Sequence, residues 1–131
     1  MDEGRFAYDD LDGMFHSVAR LRVTTALQVH PRGVTFVELK RLCDLSDGNL
    51  SRHLQKLQGE GIVEMEKSFV NRSPQTTVRL TKEGRRRFRA YLAALERVIE
   101  DAEASEAHAP SREKGSTGFR TQDLRGAEGS I

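Results

Sequence analysis

The sequence lacks the features that mark several large classes of protein. It has no apolar run near the roughly 20 residues needed to span a bilayer. Its first residues are acidic and lack the apolar stretch of a secretory signal. A single cysteine, Cys43, excludes a framework of internal disulfides. Together these absences predict a cytoplasmic protein with no membrane segment.

Signatures of enzymes and of metal sites are missing as well. There is no Gly-rich phosphate loop, no nucleophile elbow and no paired-histidine motif. The acids Glu64 and Glu66 are expected on an exposed strand face, where solvation explains them. The four histidines have no ligand-like spacing. We therefore expect no enzymatic activity, no metal and no cofactor, and the sequence identifies no small-molecule effector.

The net charge of +1 conceals an uneven distribution along the chain. Residues 1–13 carry a charge of −4 and residues 93–131 carry −3. Residues 14–92 hold fifteen Lys or Arg and seven acids, a charge of +8. A basic domain is typical of proteins that bind a polyanion. Charge alone leaves a nucleic-acid partner and an Arg-rich solvated surface equally open.

Composition and apolar spacing divide the chain into three parts. These are an acidic arm (1–9), one compact domain (10–104) and a disordered tail (105–131). Within the domain, apolar residues three and four positions apart predict a first helix that starts near Leu11, capped by Asp9 or Asp10. A break near Ser17, which would make two helices of one, is the alternative.

The clearest local signals describe two short helices separated by a turn. Thr35 and Glu38 have the spacing of a capping box, so a helix is expected from there to Cys43. The next three residues suffice only for a turn. Ser46 then caps a helix over residues 46–60, which Gly61 ends. Two short helices joined by a three-residue turn predict a helix-turn-helix.

Alternating apolar residues predict a β-hairpin after these helices. Its first strand covers residues 62–69, with Val63, Met65 and Phe69 inward, and its tip covers residues 71–74. A second strand and a last helix, capped by Thr81, follow. This order of elements is that of a winged helix. The expected fold is mainly α with a small β-hairpin wing, an α+β class.

The second helix of the helix-turn-helix should have two faces. Leu50, Leu54 and Leu57 form an apolar stripe, which puts Arg52 and Lys56 on the opposite side. Arg and Asn can make bidentate contacts to base edges, whereas Lys56 suits a phosphate. An ordinary amphipathic helix with a solvated face is the alternative. The predicted DNA-binding residues of helix and wing are Gly48, Asn49, Ser51, Arg52, His53, Gln55, Lys56, Lys67, Arg72 and Ser73.

The first and last helices carry apolar stripes that predict a homodimer. A lone domain of this size would expose them as a large apolar patch, which soluble monomers avoid. The alternative is that the two helices pack only on each other within one chain. The predicted interface residues are Leu11, Met14, Phe15, Tyr91, Leu92, Leu95, Val98 and Ile99.

Two segments resemble a known family. The segment 47–57 (DGNLSRHLQKL) with 60–63 (EGIV) is similar to the recognition helix and first wing strand of bacterial winged-helix regulators, and 80–85 (LTKEGR) resembles their junction into the last helix. Over roughly residues 10–100, the chain resembles the ArsR/MarR-like group of transcription regulators. The resemblance implies a homodimer on a pseudo-palindromic operator, with helix 46–60 in the major groove and wing 69–76 at the minor groove or backbone.

The sequence departs from one branch of that group. Metal-sensing ArsR members carry a Cys-x-Cys pair beside the helix-turn-helix, whereas this chain has Cys43 alone. This agrees with the prediction of no metal and favours a buried core thiol over a redox switch. A winged-helix adaptor that contacts proteins, without sequence-specific DNA binding, remains the alternative function. The basic face of the second helix argues against it.

Overall fold

The computed structural model describes residues 3–106. It contains a short 3-10 helix (Gly13–Phe15) and the following elements: α1 (Val18–Gln28), β1 (Val34–Thr35), α2 (Phe36–Cys43), α3 (Asp47–Gly59), β2 (Val63–Val70), β3 (Ser73–Leu80) and α4 (Lys82–Glu106). The predicted class, mainly α with a β-hairpin wing, is confirmed. No helix in the described part of the chain combines the length and the apolar character that crossing a bilayer requires.

The sheet has a third strand that the sequence pattern did not predict. The strand order is β1-β3-β2, and both pairs are antiparallel. β2 and β3 pair from Val63–Leu80 at the base to Val70–Ser73 at the tip. β1 adds only two residues, with Val34 opposite Val78. These two residues tie the start of α2 to the base of the hairpin.

The N-terminal helix begins later than the first prediction. Asp12, rather than Asp9 or Asp10, accepts a hydrogen bond from the Met14 N–H (3.0 Å) and caps the 3-10 helix. Ser17 then caps α1 by accepting from the Arg20 N–H at 3.3 Å. The alternative break near Ser17 is therefore confirmed.

The junction of α3, β2 and α4 is tightly closed. Gly61 adopts a left-handed φ of 74°, and the Ile62 N–H bonds back to the Leu57 carbonyl at 2.9 Å, which ends α3 as predicted. Thr81 accepts from the Gly84 N–H (2.8 Å), the predicted cap of the last helix. A Cβ at Gly84 would lie 2.0 Å from the Ile62 carbonyl oxygen. Only glycine lets α4 approach this closely.

Aromatic residues fill the core between the N-terminal segment and α4. The ring of Phe15 lies 5.1 Å from that of Phe88 and 5.3 Å from that of Tyr91, measured between centroids. Phe15 and Tyr91 are 0% and 4% exposed. Both were predicted at a dimer interface, and that assignment is wrong for these two residues because their own chain already buries them.

The described residues fall into two compact units. Residues 8–94 form one, and residues 3–7 with 95–106 belong to the other. In the second unit the Arg5 guanidinium donates two hydrogen bonds of 3.2 Å to the Asp101 carboxylate. Residues 105 and 106, predicted to open the tail, continue α4. The rest of the predicted tail, residues 107–131, lies outside the described residues.

Candidate nucleic-acid interface

The helix-turn-helix is held by side-chain caps at the start of each helix. Thr35 accepts from the Glu38 N–H and Ser46 from the Asn49 N–H, both at 3.2 Å. Glu38 forms an ion pair with Arg41, so only half of the predicted capping box is present. Asp44 takes a left-handed φ of 56° and turns the chain sharply between the helices.

The predicted two faces of α3 are present. Leu50, Leu54 and Leu57 are at most 1% exposed and fix the helix on the domain. The remaining candidate residues of the helix, His53 apart, are exposed: Gly48, Asn49, Ser51, Arg52, Gln55 and Lys56. α3 therefore presents one continuous polar and basic surface to its surroundings.

Arg52 and Lys56, the cations of this surface, form no ion pair within the described part of the chain. The one acid within α3, Asp47, binds the Lys40 ammonium at 2.8 Å. Neither Arg52 nor Lys56 forms an ion pair with an acid of residues 3–106. Both positive charges therefore stay available to an external anion.

His53 differs from its neighbours because it is half-buried. The Arg20 guanidinium lies 3.3 Å from its Nδ1, and the same Arg20 donates to the Met14 carbonyl at 2.9 Å. Burial lowers the pKa of His53, and the charges of Arg20, Arg52 and Lys56 lower it further. With Nδ1 accepting from Arg20, the ring proton sits on Nε2 and can be donated outward. Sequence spacing could not reveal this contact between α1 and α3.

The wing ends in a two-residue turn. Asn71 and Arg72 have φ of 53° and 70°, the pattern of a type I′ hairpin, so the tip is shorter than the predicted 71–74, and Ser73 already lies in β3. Every residue from Glu66 to Pro74 is exposed, including the candidates Lys67, Arg72 and Ser73. Phe69, predicted inward, is 74% exposed because the core ends before it.

The two faces of the wing differ in charge. On one face Arg79 forms ion pairs with Glu64 (3.7 Å) and Glu66 (2.7 Å), so its single positive charge offsets one of the two negative charges there. The other face borders an open hollow of about 420 Å³ between the wing and the start of α2. Lys67 is the one charged residue that lines this hollow. The one charge at its lining is therefore positive.

Cys43 and the histidines form no recognisable reactive or metal site in residues 3–106. No group of three or more potential metal ligands is found there. Cys43 is 3% exposed, and burial raises the pKa of its thiol against the opposing charge of Arg22. Its environment disfavours the thiolate, the reactive form.

Comparison with known proteins relates this geometry to a family. Residues 19–99 match the family model of the winged helix DNA-binding domain. Uncharacterized protein MJ0432 of Methanocaldococcus jannaschii is 32% identical over 93 residues, which cover 69% of this chain and 97% of that protein.

Solved structures share the fold. A transcriptional regulator homologue from Pyrococcus horikoshii OT3 aligns with a TM-score of 0.68 at 24% identity, covering 75% of this chain and 97% of that one. MarR aligns with a TM-score of 0.68 at 22% identity, covering 98% and 89%. MepR of S. aureus, solved as a DNA complex, aligns at 0.61 and 15% identity, covering 81% and 85%. The family match and the helix-turn-helix with its wing agree: the chain belongs to the winged helix DNA-binding domain family.

Proposed function

We propose that this protein is a transcription regulator, not an enzyme, that binds specific double-stranded DNA as a homodimer. The observation that carries the proposal is the set of cations on the exposed face of α3 and at the wing tip that form no ion pair within residues 3–106. A protein that leaves such charges unpaired on one surface has an electrostatic footprint for the phosphate backbone. The recognition helix, α3 with its N-cap Ser46 and its C-cap Glu60, lies in the major groove.

Each side chain of α3 has a role that its chemistry suits. Arg52 and Asn49 reach base edges, where they read guanine and adenine. Lys56 binds a phosphate. Hydrogen bonds to bases or to the DNA backbone come from Ser51, His53 and Gln55.

Gly48 supports this docking. A Cβ there would meet no protein atom within 4 Å, so packing within the chain does not require glycine. Glycine also lowers helix stability by about 1 kcal/mol relative to alanine. Its use in the first turn of α3 fits a close approach of the DNA backbone.

The wing, residues 69–76, contacts the minor groove or the adjacent backbone. Arg72 is exposed at the turn and forms no ion pair with an acid of the described chain. Lys67 and Ser73 lie on the two strands that lead to it. A narrow minor groove concentrates negative potential, which attracts an inserted arginine.

The homodimer rests on the apolar residues that the chain does not bury. Leu92 is 38% exposed, and the others are half-buried: Leu11, Met14, Leu95, Val98 and Ile99. In an isologous dimer the same surface of both subunits is buried, so these residues would be covered in each protomer. It would also set two recognition helices about 34 Å apart, one turn of DNA, to match a pseudo-palindromic operator.

Genomic fragments captured by the purified protein test the DNA-binding proposal. Selected fragments should share a pseudo-palindromic sequence, and affinity for them should fall steeply with salt because phosphate contacts release counterions. Failure to enrich any sequence, together with salt-insensitive binding to a protein, would instead establish the adaptor function.

Sedimentation tests the homodimer separately. The wild type should sediment as a dimer, and Leu95→Glu with Val98→Glu should give a folded monomer that binds half-sites weakly. Val29→Glu with Val37→Glu changes two valines that are 60% and 69% exposed elsewhere and serves as the matched control. A monomeric wild type at micromolar concentration would overturn the dimer.

A further inference from the structure

The wing tip is apolar as well as basic. Phe69 is 74% exposed and Val70 45% exposed, although both lie in regular β-structure. Phe69 pairs across the hairpin with Pro74 and Val70 with Ser73. Successive residues of a strand point to opposite faces. The tip therefore carries an aromatic residue on one face and a branched aliphatic residue on the other.

These apolar groups extend beyond the part of the sheet that the core can cover. Along β2 the face that holds Phe69 also holds Val63, which is 2% exposed, and Met65, which is half-buried. The same face then becomes solvent-exposed at Lys67. Since a strand rises about 3.3 Å per residue, Phe69 lies roughly 13 Å beyond Met65. Within residues 3–106 the core ends before it, and Phe69 stays 74% exposed.

The surrounding charge decides which partner suits this tip. Residues 67–78 contain two cations, Lys67 and Arg72, and no acid. Neither cation forms an ion pair with an acid among residues 3–106. A second copy of the same tip would bring like charges together. An anionic partner with apolar walls is complementary, and the minor groove of DNA offers sugars between two rows of phosphates.

We propose that Phe69 is a minor-groove contact residue that packs against deoxyribose or wedges at a base step, while Arg72 beside it binds the groove electrostatically. Apolar side chains inserted from the minor groove partly unstack a base step and bend the duplex. The inference rests on the proposed function, since it requires that the protein bind DNA. It adds an apolar contact and a bend to the electrostatic docking of the wing.

The absence of tryptophan makes this contact directly measurable. The chain contains no Trp, so Phe69→Trp introduces a single reporter at the tip. Its emission should shift to shorter wavelength when a duplex selected by the wild type is added. Val29→Trp places the reporter at a similarly exposed site just after the end of α1 and should not respond. Prior occupation of the minor groove by netropsin should remove the shift.

Affinity gives an independent readout. Phe69→Ser should weaken binding about tenfold, the loss expected when much of an aromatic side chain is no longer buried. The slope of affinity against salt should stay unchanged, because no charge is removed. Phe69→Leu, which retains apolar bulk, should recover most of the affinity.

The outcomes separate this inference from the proposed function. If the Phe69→Trp variant binds the duplex, as fluorescence anisotropy would show, but its emission does not change, the apolar contact is wrong while DNA binding stands. If its emission shifts with protein concentration before DNA is added, the tip contacts a second copy and the inference is also wrong. If neither the wild type nor any variant binds a duplex, both proposals fail.

Discussion

Arg52 of α3 and Arg72 of the wing tip differ from Arg87 of α4 and Arg79 of the wing base in what they bind. Arg87 of α4 binds the carboxylates of Asp12 (2.7 Å) and Glu60 (3.1 Å), and Arg79 at the wing base binds two glutamates. Arg52 and Arg72 form no ion pair with any acid of residues 3–106. The same residue type thus stabilises the fold in one region and remains available for a partner in the other.

The largest effect is expected where the fold closes most tightly. Gly84→Ala should lower the free energy of unfolding by about 3 kcal/mol, because its Cβ would clash with the Ile62 carbonyl and push α4 off the α3–β2 junction. Urea unfolding measures this. Gly59→Ala, where a Cβ would meet nothing within 4 Å, is the control and should be tolerated. Equal stability of the two variants would show that the junction is not tight.

The next effect separates the paired cations from the unpaired ones. Arg87 is 21% exposed and donates to Asp12 and to Glu60. Burial disfavours its charge, but these hydrogen bonds outweigh it and raise the pKa of Arg87. Arg87→Ala should therefore lower the unfolding free energy by about 1–3 kcal/mol. Arg52→Ala should change the unfolding free energy by no more than about 0.5 kcal/mol. Thermal melting of both variants measures this, and equal losses of stability would contradict the comparison.

At the wing tip, stability and binding should change in opposite directions. Arg72 holds a φ of 70°, which costs a side-chain-bearing residue about 1 kcal/mol. Arg72→Gly should raise the unfolding free energy by up to that amount and weaken DNA binding, because the cation is lost. Asn71→Gly changes the same turn and retains the cation, so it should leave affinity unaltered. A parallel loss of affinity in both variants would assign the effect to the turn instead.

The smallest effect concerns pH. Burial and nearby cations lower the pKa of His53 below its ordinary 6.5. On acidification the unfolded chain therefore takes up the proton first, and stability should fall as the pH drops below about 6.5. His53→Gln should remove this part of the pH dependence, measured by urea unfolding at several pH values. If the wild type and the variant lose stability in parallel, His53 does not titrate as the structure indicates.

Helix caps, a helix-ending glycine and an apolar stripe predicted the helices correctly because the structure contains the same local contacts. Ser46 and Thr81 cap their helices, Gly61 ends α3, and the leucine stripe of α3 is buried, as their spacing indicated. Each of these features depends on residues only a few positions apart. The helix-turn-helix and the hairpin were therefore visible in the sequence.

Features that depend on distant residues were missed. The pairing of Val34 with Val78 and the contact of Arg20 with His53 join separate elements, and no local pattern encodes them. Phe69 alternates correctly with Val63 and Met65, but periodicity cannot show where the core ends. On α4, Ala94 is fully buried, but its small side chain does not mark it as a core residue in the sequence. That Arg52 and Arg72 form no ion pair with an acid of residues 3–106 likewise became visible only in three dimensions.

Charge-matched double variants test the central claim most directly. Arg52→Ala with Lys56→Ala removes two cations that form no ion pair within residues 3–106, whereas Arg41→Ala with Arg86→Ala removes two that are each paired to a glutamate. Affinity for duplexes selected by the wild type is measured over a series of salt concentrations. The first variant should lose at least about 1–3 kcal/mol of binding and reduce the salt slope by about 1, while the second stays close to the wild type. Equal losses in the two variants, or none in the first, would contradict the assignment of this surface to DNA.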